Sequence, residues 1–182
     1  MADLTTTANV KTWLGLTSVA DDALIARLVT SASDFIQAWL NRTFAGTSYT
    51  DTFDGKNFTK YSAYAYPITA VASVTVDGQN IPASTGPTVA GYVFSKTMIG
   101  LIGYSFTPGM QNCSITYTAG FASIPTEIEQ ACIELVGLRY RNKDRIGLNS
   151  KGANGESISF AQIDLSGSVT DTLQQYKKVH MS

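Results

Sequence analysis

The middle of the chain, from Thr43 to Thr118, differs sharply in composition from the segments on either side. It contains three lysines and three aspartates but neither arginine nor glutamate, and it holds seven of the nine tyrosines. β-Branched and aromatic residues favour strands, whereas glutamate, arginine and alanine favour helices. The sequence therefore predicts a β-rich segment inserted between two helical ones.

The segment before this insertion predicts two helices. Thr5–Leu14 has the apolar spacing of a short helix, and Leu24–Leu40 has apolar residues at successive spacings of three and one, typical of a long amphipathic helix. Ser18, Asp21 and Asp22 precede the long helix, where a cap and first-turn acids are favoured. We expect these residues to cap the long helix and to complement its dipole.

A third helix is predicted after the insertion, beginning near Pro125 and ending at Gly147. Its glutamates come early and its basic residues late, as the helix dipole favours. Cys132 lies on its apolar face and is expected to be a buried, reduced thiol. The basic group at its end consists of Arg139, Arg141, Lys143 and Arg145.

The insertion predicts a small antiparallel sheet or barrel. Asp54-Gly55 and Asp77-Gly78 are typical turn pairs. The predicted strands are Tyr49–Phe53, Phe58–Tyr66, Ile68–Val76, Val89–Phe94, Met98–Tyr104 and Gln111–Thr118.

Glycine, serine and asparagine are frequent after Gly147, where Ser157–Ile163 is strand-like and Val169–Val179 is amphipathic. The predicted fold class is α+β, with a three-helix core and an inserted antiparallel β lobe. The core comprises residues 1–42 and 119–147, and the lobe comprises residues 43–118. Residues 148–182 are predicted to form a flexible C-terminal arm with a short strand and a short helix.

Residues for catalysis, cofactor binding or metal binding do not form a familiar pattern. His180 is the single histidine and lies near the end of the sequence, where a rigid catalytic group is rarely held. Cys113 and Cys132 have neither metal-ligand nor disulfide-framework spacing. We therefore predict no catalytic residue, no cofactor and no metal, and the protein is not expected to be an enzyme.

Charge and hydropathy restrict the classes of partner that the chain is expected to bind. A net charge of −1 does not favour a general polyanion-binding surface. The first residues lack the basic and apolar regions of a signal peptide, and Met98–Tyr104, the most apolar run, is too short to span a bilayer. Neither secretion by a standard signal nor a membrane partner is expected. Charged residues make up only 15%, which permits surfaces hidden against partners.

Two surface features have alternative interpretations. The run from Arg139 to Arg145 is either a solvated helix end or a contact for a partner's acids or for phosphate. Tyr61, Tyr64 and Tyr66 are expected to share one face of a strand, which would be either a sugar-stacking surface or part of the lobe's own core or an intersubunit contact.

The order of these elements resembles the head-tail connector (adaptor) proteins of tailed phages, in the gp6-like group with a β-rich insertion. The resemblance covers most of residues 9–147. The stretches that carry it are Asn9–Leu16, Asp21–Leu28, Ala32–Ile36, Trp39–Arg42, Tyr66–Val71, Val74–Gly78, Ile115–Phe121, Ile124–Pro125, Glu129–Val136, Arg139–Arg141 and Asp144–Gly147.

The resemblance implies a structural virion protein at the head-tail junction, assembled in the host cytoplasm. It implies a homo-oligomeric ring of about twelve copies below the portal protein. Such a ring extends the DNA channel, lets DNA pass with transient non-specific contact, and docks a tail-side connector or tail terminator protein. The alternative is a virion decoration or carbohydrate-binding module.

Two groups of partner-binding residues are predicted. The C-terminal arm is expected to become ordered on a neighbouring subunit or the portal. Its apolar anchors are predicted to be Leu165, Val169, Leu173, Tyr176 and Val179. The second group is the basic helix end, Arg139, Arg141, Lys143 and Arg145, for contact with a subunit, the portal or the channel.

Overall fold

The computed structural model describes residues 2–143, 150–153, 156–159 and 167–177. The chain divides into two compact units. The helical unit comprises Met1–Arg42 and Ile124–Ser182, and the β unit comprises Thr43–Ser123. Helices and antiparallel sheets confirm the α+β class. The second border lies after residue 123 because strand pairing continues to Ala119 and Phe121 forms a bridge with Ala45.

Four helices are described, and none is both long enough and apolar enough to cross a membrane. In chain order they are α1 (Thr7–Leu14), α2 (Asp22–Leu40), α3 (Thr126–Arg141) and α4 (Gly167–Gln174).

The long apolar stripe of α2 is confirmed as a buried helix face, with Ile25, Val29 and Ile36 almost wholly buried. Asp22 is confirmed as an acid in the first turn of α2, and Asp21 stands at the N-cap position. The expected side-chain cap is wrong, because Asp21 makes no cap hydrogen bond and the Ser18 hydroxyl accepts from the amide of Ala20 instead. The Asp21 carboxylate faces α3.

Helices α2 and α3 run antiparallel and make polar contacts along their length. At the start of α2, Asp21 accepts a hydrogen bond from the Tyr140 hydroxyl near the end of α3. Midway, the Ser33 hydroxyl lies 3.6 Å from the Cys132 sulfur. Ser33 also accepts from the amide of Leu4 at 2.9 Å, so the segment before α1 is fixed against α2.

The strands form two sheets in the β unit and a separate hairpin. The four-stranded sheet has the order β1-β7-β3-β4, the three-stranded sheet has the order β2-β6-β5, and β8 pairs with β9. The strands are β1 (Thr47–Gly55), β2 (Lys60–Ser62), β3 (Ile68–Val76), β4 (Gln79–Ile81), β5 (Gly91–Phe94), β6 (Met98–Ile102), β7 (Gly109–Ala119), β8 (Ser150–Ala153) and β9 (Glu156–Ser159).

One predicted turn is confirmed and the other is wrong. Asp77-Gly78 joins β3 to β4 as a tight hairpin, with both residues at positive φ. Asp54-Gly55 is instead the end of β1, whose partner is the distant strand β7. The predicted strand Phe58–Tyr66 is shortened to β2, since the chain leaves the sheet after Ser62.

Aromatic side chains fill one end of the β unit. The rings of Phe53 and Tyr61 stack at 4.0 Å between centroids, and Phe53, Phe58 and Tyr61 surround the fully buried Phe106. These residues belong to β1, the β1–β2 connection, β2 and the β6–β7 connection, so distant parts of the sequence build one core.

Candidate interaction surfaces

The basic end of α3 is largely occupied by contacts within the helical unit. The guanidinium of Arg139 donates to the Ser31 hydroxyl at 3.3 Å and lies 5.3 Å from the centre of the Phe35 ring. The ammonium of Lys143 lies 3.3 Å from the Asp21 carboxylate. Two of the predicted basic residues therefore join α3 to α2 and the loop before it.

Hydrogen bonds set the electrostatics of this junction. The Tyr140 hydroxyl and the Lys143 ammonium both donate to Asp21, which lowers the pKa of its carboxyl. The same hydrogen bond raises the pKa of Tyr140, because the hydroxyl proton is held by the carboxylate. The acid of this pair is thus kept ionised at the start of α2, where the helix dipole also favours a negative charge.

Arg141 differs from its two neighbours. It is exposed and forms no hydrogen bond or ion pair with any residue that the structure describes. Arg145, the fourth predicted basic residue, lies outside the described residues.

An apolar surface lies beside Arg141. The side chains of Trp13 and Leu138 are 53% and 38% exposed. A Cβ at Gly137 would lie 3.7 Å from Cδ1 of Trp13, so the indole ring sits close to the backbone of α3. Trp13 belongs to the apolar spacing of the predicted helix Thr5–Leu14, and that spacing alone does not show that its ring is half exposed.

Helix α4 is docked on the helical unit. Leu173 is fully buried, the Tyr176 hydroxyl donates to Glu127, and Arg42 donates to the Tyr176 carbonyl at 3.3 Å. Val169 and Tyr176 are half-buried. Of the predicted anchors, Leu173 thus packs within its own subunit.

The other two predicted anchors, Leu165 and Val179, lie outside the described residues.

Tyr61, Tyr64 and Tyr66 do not share a strand face. Tyr61 is in β2 and stacks on Phe53, whereas Tyr64 and Tyr66 follow the end of that strand. Tyr64 is half-exposed. The predicted common face is wrong because the chain turns away after Ser62, and the arrangement gives no support to a sugar-stacking surface.

Both cysteines of the chain are buried. No group of three or more histidine, cysteine or acidic side chains is placed there to hold a metal ion. Cys132 is buried as predicted, and burial raises the pKa of its thiol to about 11. It remains protonated at neutral pH, where its nucleophilicity is low.

Trp13, Leu138 and Arg141 are thus exposed where α1 and α3 end, and Arg141 has no partner in the described parts of the chain. Tryptophan and arginine are residue types that are enriched in protein interfaces. The chain belongs to the head completion protein family, whose model matches residues 3–179. This membership confirms the resemblance to head-tail connector proteins. No curated protein sequence matches the chain.

Solved structures share the fold at low sequence identity. A chain from the neck of an empty gene transfer agent (GTA) particle, computed with C6 symmetry, has a TM-score of 0.59 and 18% identity, covering 97% of this chain and 90% of that one. A chain from the virion of the native GTA particle has a TM-score of 0.58 and 18% identity, with the same coverages. A chain from the native neck, computed with C12 symmetry, has a TM-score of 0.55 and 16% identity, covering 88% of this chain and 85% of that one.

Proposed function

We propose that the protein is a head-tail connector: a structural virion protein, without enzymatic activity, that forms a ring below the portal at the head-tail junction. The ring extends the DNA channel and offers a docking surface to the next tail-side protein. DNA passes through it with transient, non-specific contact, which suits a subunit of net charge −1.

The observation that supports this most strongly is the match to the head completion family across nearly the whole chain. A fold shared with neck chains of a phage-like particle, at 97% coverage, agrees with it. The cyclic symmetries of those necks favour a closed ring of identical subunits, which heterologous contacts between subunits generate.

We propose that the C-terminal arm and the basic end of α3 both contribute to assembly. Because Leu173 is buried within the helical unit, its role would be to hold α4 in place rather than to enter a partner. Contacts with neighbours or the portal are then left to exposed residues of α4 and to Arg141.

Mass measurement by light scattering tests the proposal. The purified full chain is measured alone, with the portal protein of the same particle, and with an unrelated ring protein of similar size as control. We expect a complex with the portal protein whose mass corresponds to a ring of subunits, and none with the control. A chain that remains separate from the portal protein at all concentrations would contradict the proposal.

A further inference from the structure

The helical unit carries two exposed surfaces at opposite ends of α3. The first, the head surface, consists of Trp13, Leu138 and Arg141, where α1 and α3 end. The second, the tail surface, consists of Asp171, Gln174 and Gln175, on and just after α4.

The head surface combines apolar area with hydrogen-bond donors that have no partner in the described parts of the chain. Leu138 and Arg141 are three residues apart on α3 and therefore lie on one face of it. The Trp13 ring packs beside Gly137, next to Leu138. Tryptophan and arginine are the residue types that dominate binding energy in protein interfaces. All three side chains are exposed, and Arg141 has no described partner within the subunit.

The tail surface offers acceptors. Asp171 and Gln174 are three residues apart on α4, and Gln175 follows, so all three lie on one side and are exposed. Asp171 makes no hydrogen bond or ion pair with any residue in the described parts of the chain.

The contacts of α4 fix where this surface lies. Tyr176, one residue past Gln175, is hydrogen-bonded to Glu127 in the first turn of α3. Glu127 and Leu138 are separated by about 16 Å along the helix axis, at 1.5 Å per residue. The head surface therefore lies near the end of α3, whereas the tail surface lies on α4 near the first turn of α3.

Neighbouring charges at both ends have intramolecular contacts. At the head end, Lys143 pairs with Asp21, and Lys11 pairs with Asp22 at 2.7 Å. At the tail end, the Lys177 ammonium lies 5.0 Å from the centre of the Trp39 ring.

Arg141 and Asp171 are thus left as an exposed cation and an exposed anion on the two surfaces, which gives the surfaces complementary charge.

We propose that the head surface binds the tail surface of a second copy of this chain, with Arg141 of one subunit paired to Asp171 of the next. The inference rests on the proposed function, since a ring requires two different, complementary patches on each subunit. Trp13 and Leu138 supply apolar area, and a glutamine side-chain oxygen of the tail surface accepts from the Trp13 indole N–H.

Charge reversal at the two positions tests this pairing. The variants are R141D, D171R, the double variant R141D/D171R, and an equimolar mixture of the two single variants. R27D is the matched control, because Arg27 is also exposed on the helical unit and has no described partner. The readout is the concentration at which the full chain assembles, measured by light scattering. If the isolated chain is monomeric, the readout is instead the amount of the chain that is incorporated into purified particles.

We expect each single variant to raise that concentration, or lower incorporation, by about tenfold or more. The double variant should recover assembly because it restores opposite charges at every contact, and the mixture should recover it because alternating subunits do the same. Recovery in the mixture also shows that each single variant is folded. R27D should match the wild type.

The pairing is overturned if R141D or D171R assembles like the wild type, if neither the double variant nor the mixture recovers, or if R27D impairs assembly equally. These outcomes are distinct from failure of the proposed function. If the function is wrong, the wild-type chain itself neither forms a ring nor enters the particle neck.

Discussion

The two units differ in how their cores depend on the sequence. The helical unit buries an apolar stripe that is periodic within each helix, and its polar contacts occur between helix ends, as at Asp21 and Tyr140. In the β unit, the aromatic cluster at Phe106 and the carboxylate of Asp51 are instead contacted by residues that are distant in the sequence. The core of the helical unit can therefore be predicted from local periodicity, whereas the core of the β unit depends on long-range strand pairing.

The units also differ in their surfaces. All four glutamates lie outside the β unit. The β unit nevertheless carries most of the large apolar side chains that are exposed in the described residues: Tyr64, Val89, Val93, Phe94, Met98, Tyr104 and Met110. Charge is concentrated on the helical unit, which also carries the proposed assembly contacts.

The largest effect is expected in the aromatic core of the β unit. Phe106→Ala should lower the free energy of unfolding by about 3–5 kcal/mol, because a fully buried ring is lost and a cavity remains. Urea unfolding measures the change, and hydrogen exchange should place the loss of protection in the β unit. Met110→Ala, at a largely exposed position, is the control. A cost for Phe106→Ala no larger than that of Met110→Ala would show that the cluster is not the core.

The corresponding substitution in the helical unit is Leu173→Ala. It should lower the free energy of unfolding by about 2–3 kcal/mol, since the side chain is fully buried but belongs to a short peripheral helix. Gln174→Ala, one residue further and exposed, is the control. Equal stability of the two variants would mean that α4 is not held on the helical unit, and would remove the basis of the tail surface.

A third substitution probes the polar centre of the β unit. One carboxylate oxygen of Asp51 accepts from the Tyr117 hydroxyl at 2.8 Å, the Tyr61 hydroxyl at 3.1 Å and the amide of Tyr64 at 3.2 Å. Asp51→Asn weakens these charge-assisted bonds and should cost about 1–3 kcal/mol in urea unfolding. Asp54→Asn, which affects one hydrogen bond from the amide of Gln111, is the matched control. Indistinguishable variants would contradict the role of Asp51.

The smallest effect is a pH dependence in the helical unit. Burial raises the pKa of the Cys132 thiol from 9.0 to about 11, so the folded state holds its proton more tightly than the unfolded state. Stability from this group is complete below pH 9 and is lost as the pH rises through 11. At pH 10 the loss is about 1 kcal/mol. The measurement is urea unfolding at pH 8 and pH 10, for the wild type and for Cys132→Ala. Equal pH dependence of the two proteins would contradict the assignment.

Sequence reasoning succeeded where the pattern is local. The stripe of α2, burial of Cys132 and the Asp77-Gly78 hairpin are each encoded by neighbouring residues. It failed where a distant partner decides the outcome. Asp54-Gly55 belongs to β1 because this strand pairs with β7. The Asp21 side chain does not cap α2, because it accepts hydrogen bonds from Tyr140 and Lys143.

The candidate site shows the same limit. The basic residues at the end of α3 can be found from their order in the sequence. Only the packing against α2 shows that Arg139 and Lys143 have partners, whereas Arg141 has none among the described residues. Burial of Leu173 follows from the docking of α4, which no short-range pattern specifies.

The central claim is that the protein occupies the head-tail junction, and cryo-electron microscopy of purified particles tests it most directly. Three preparations are compared: wild-type particles, particles made without the gene for this chain, and particles made after the gene is restored. The account predicts a ring of density between portal and tail that fits the helical unit and disappears on deletion. An intact neck without this chain, or its location elsewhere on the capsid, would contradict the account.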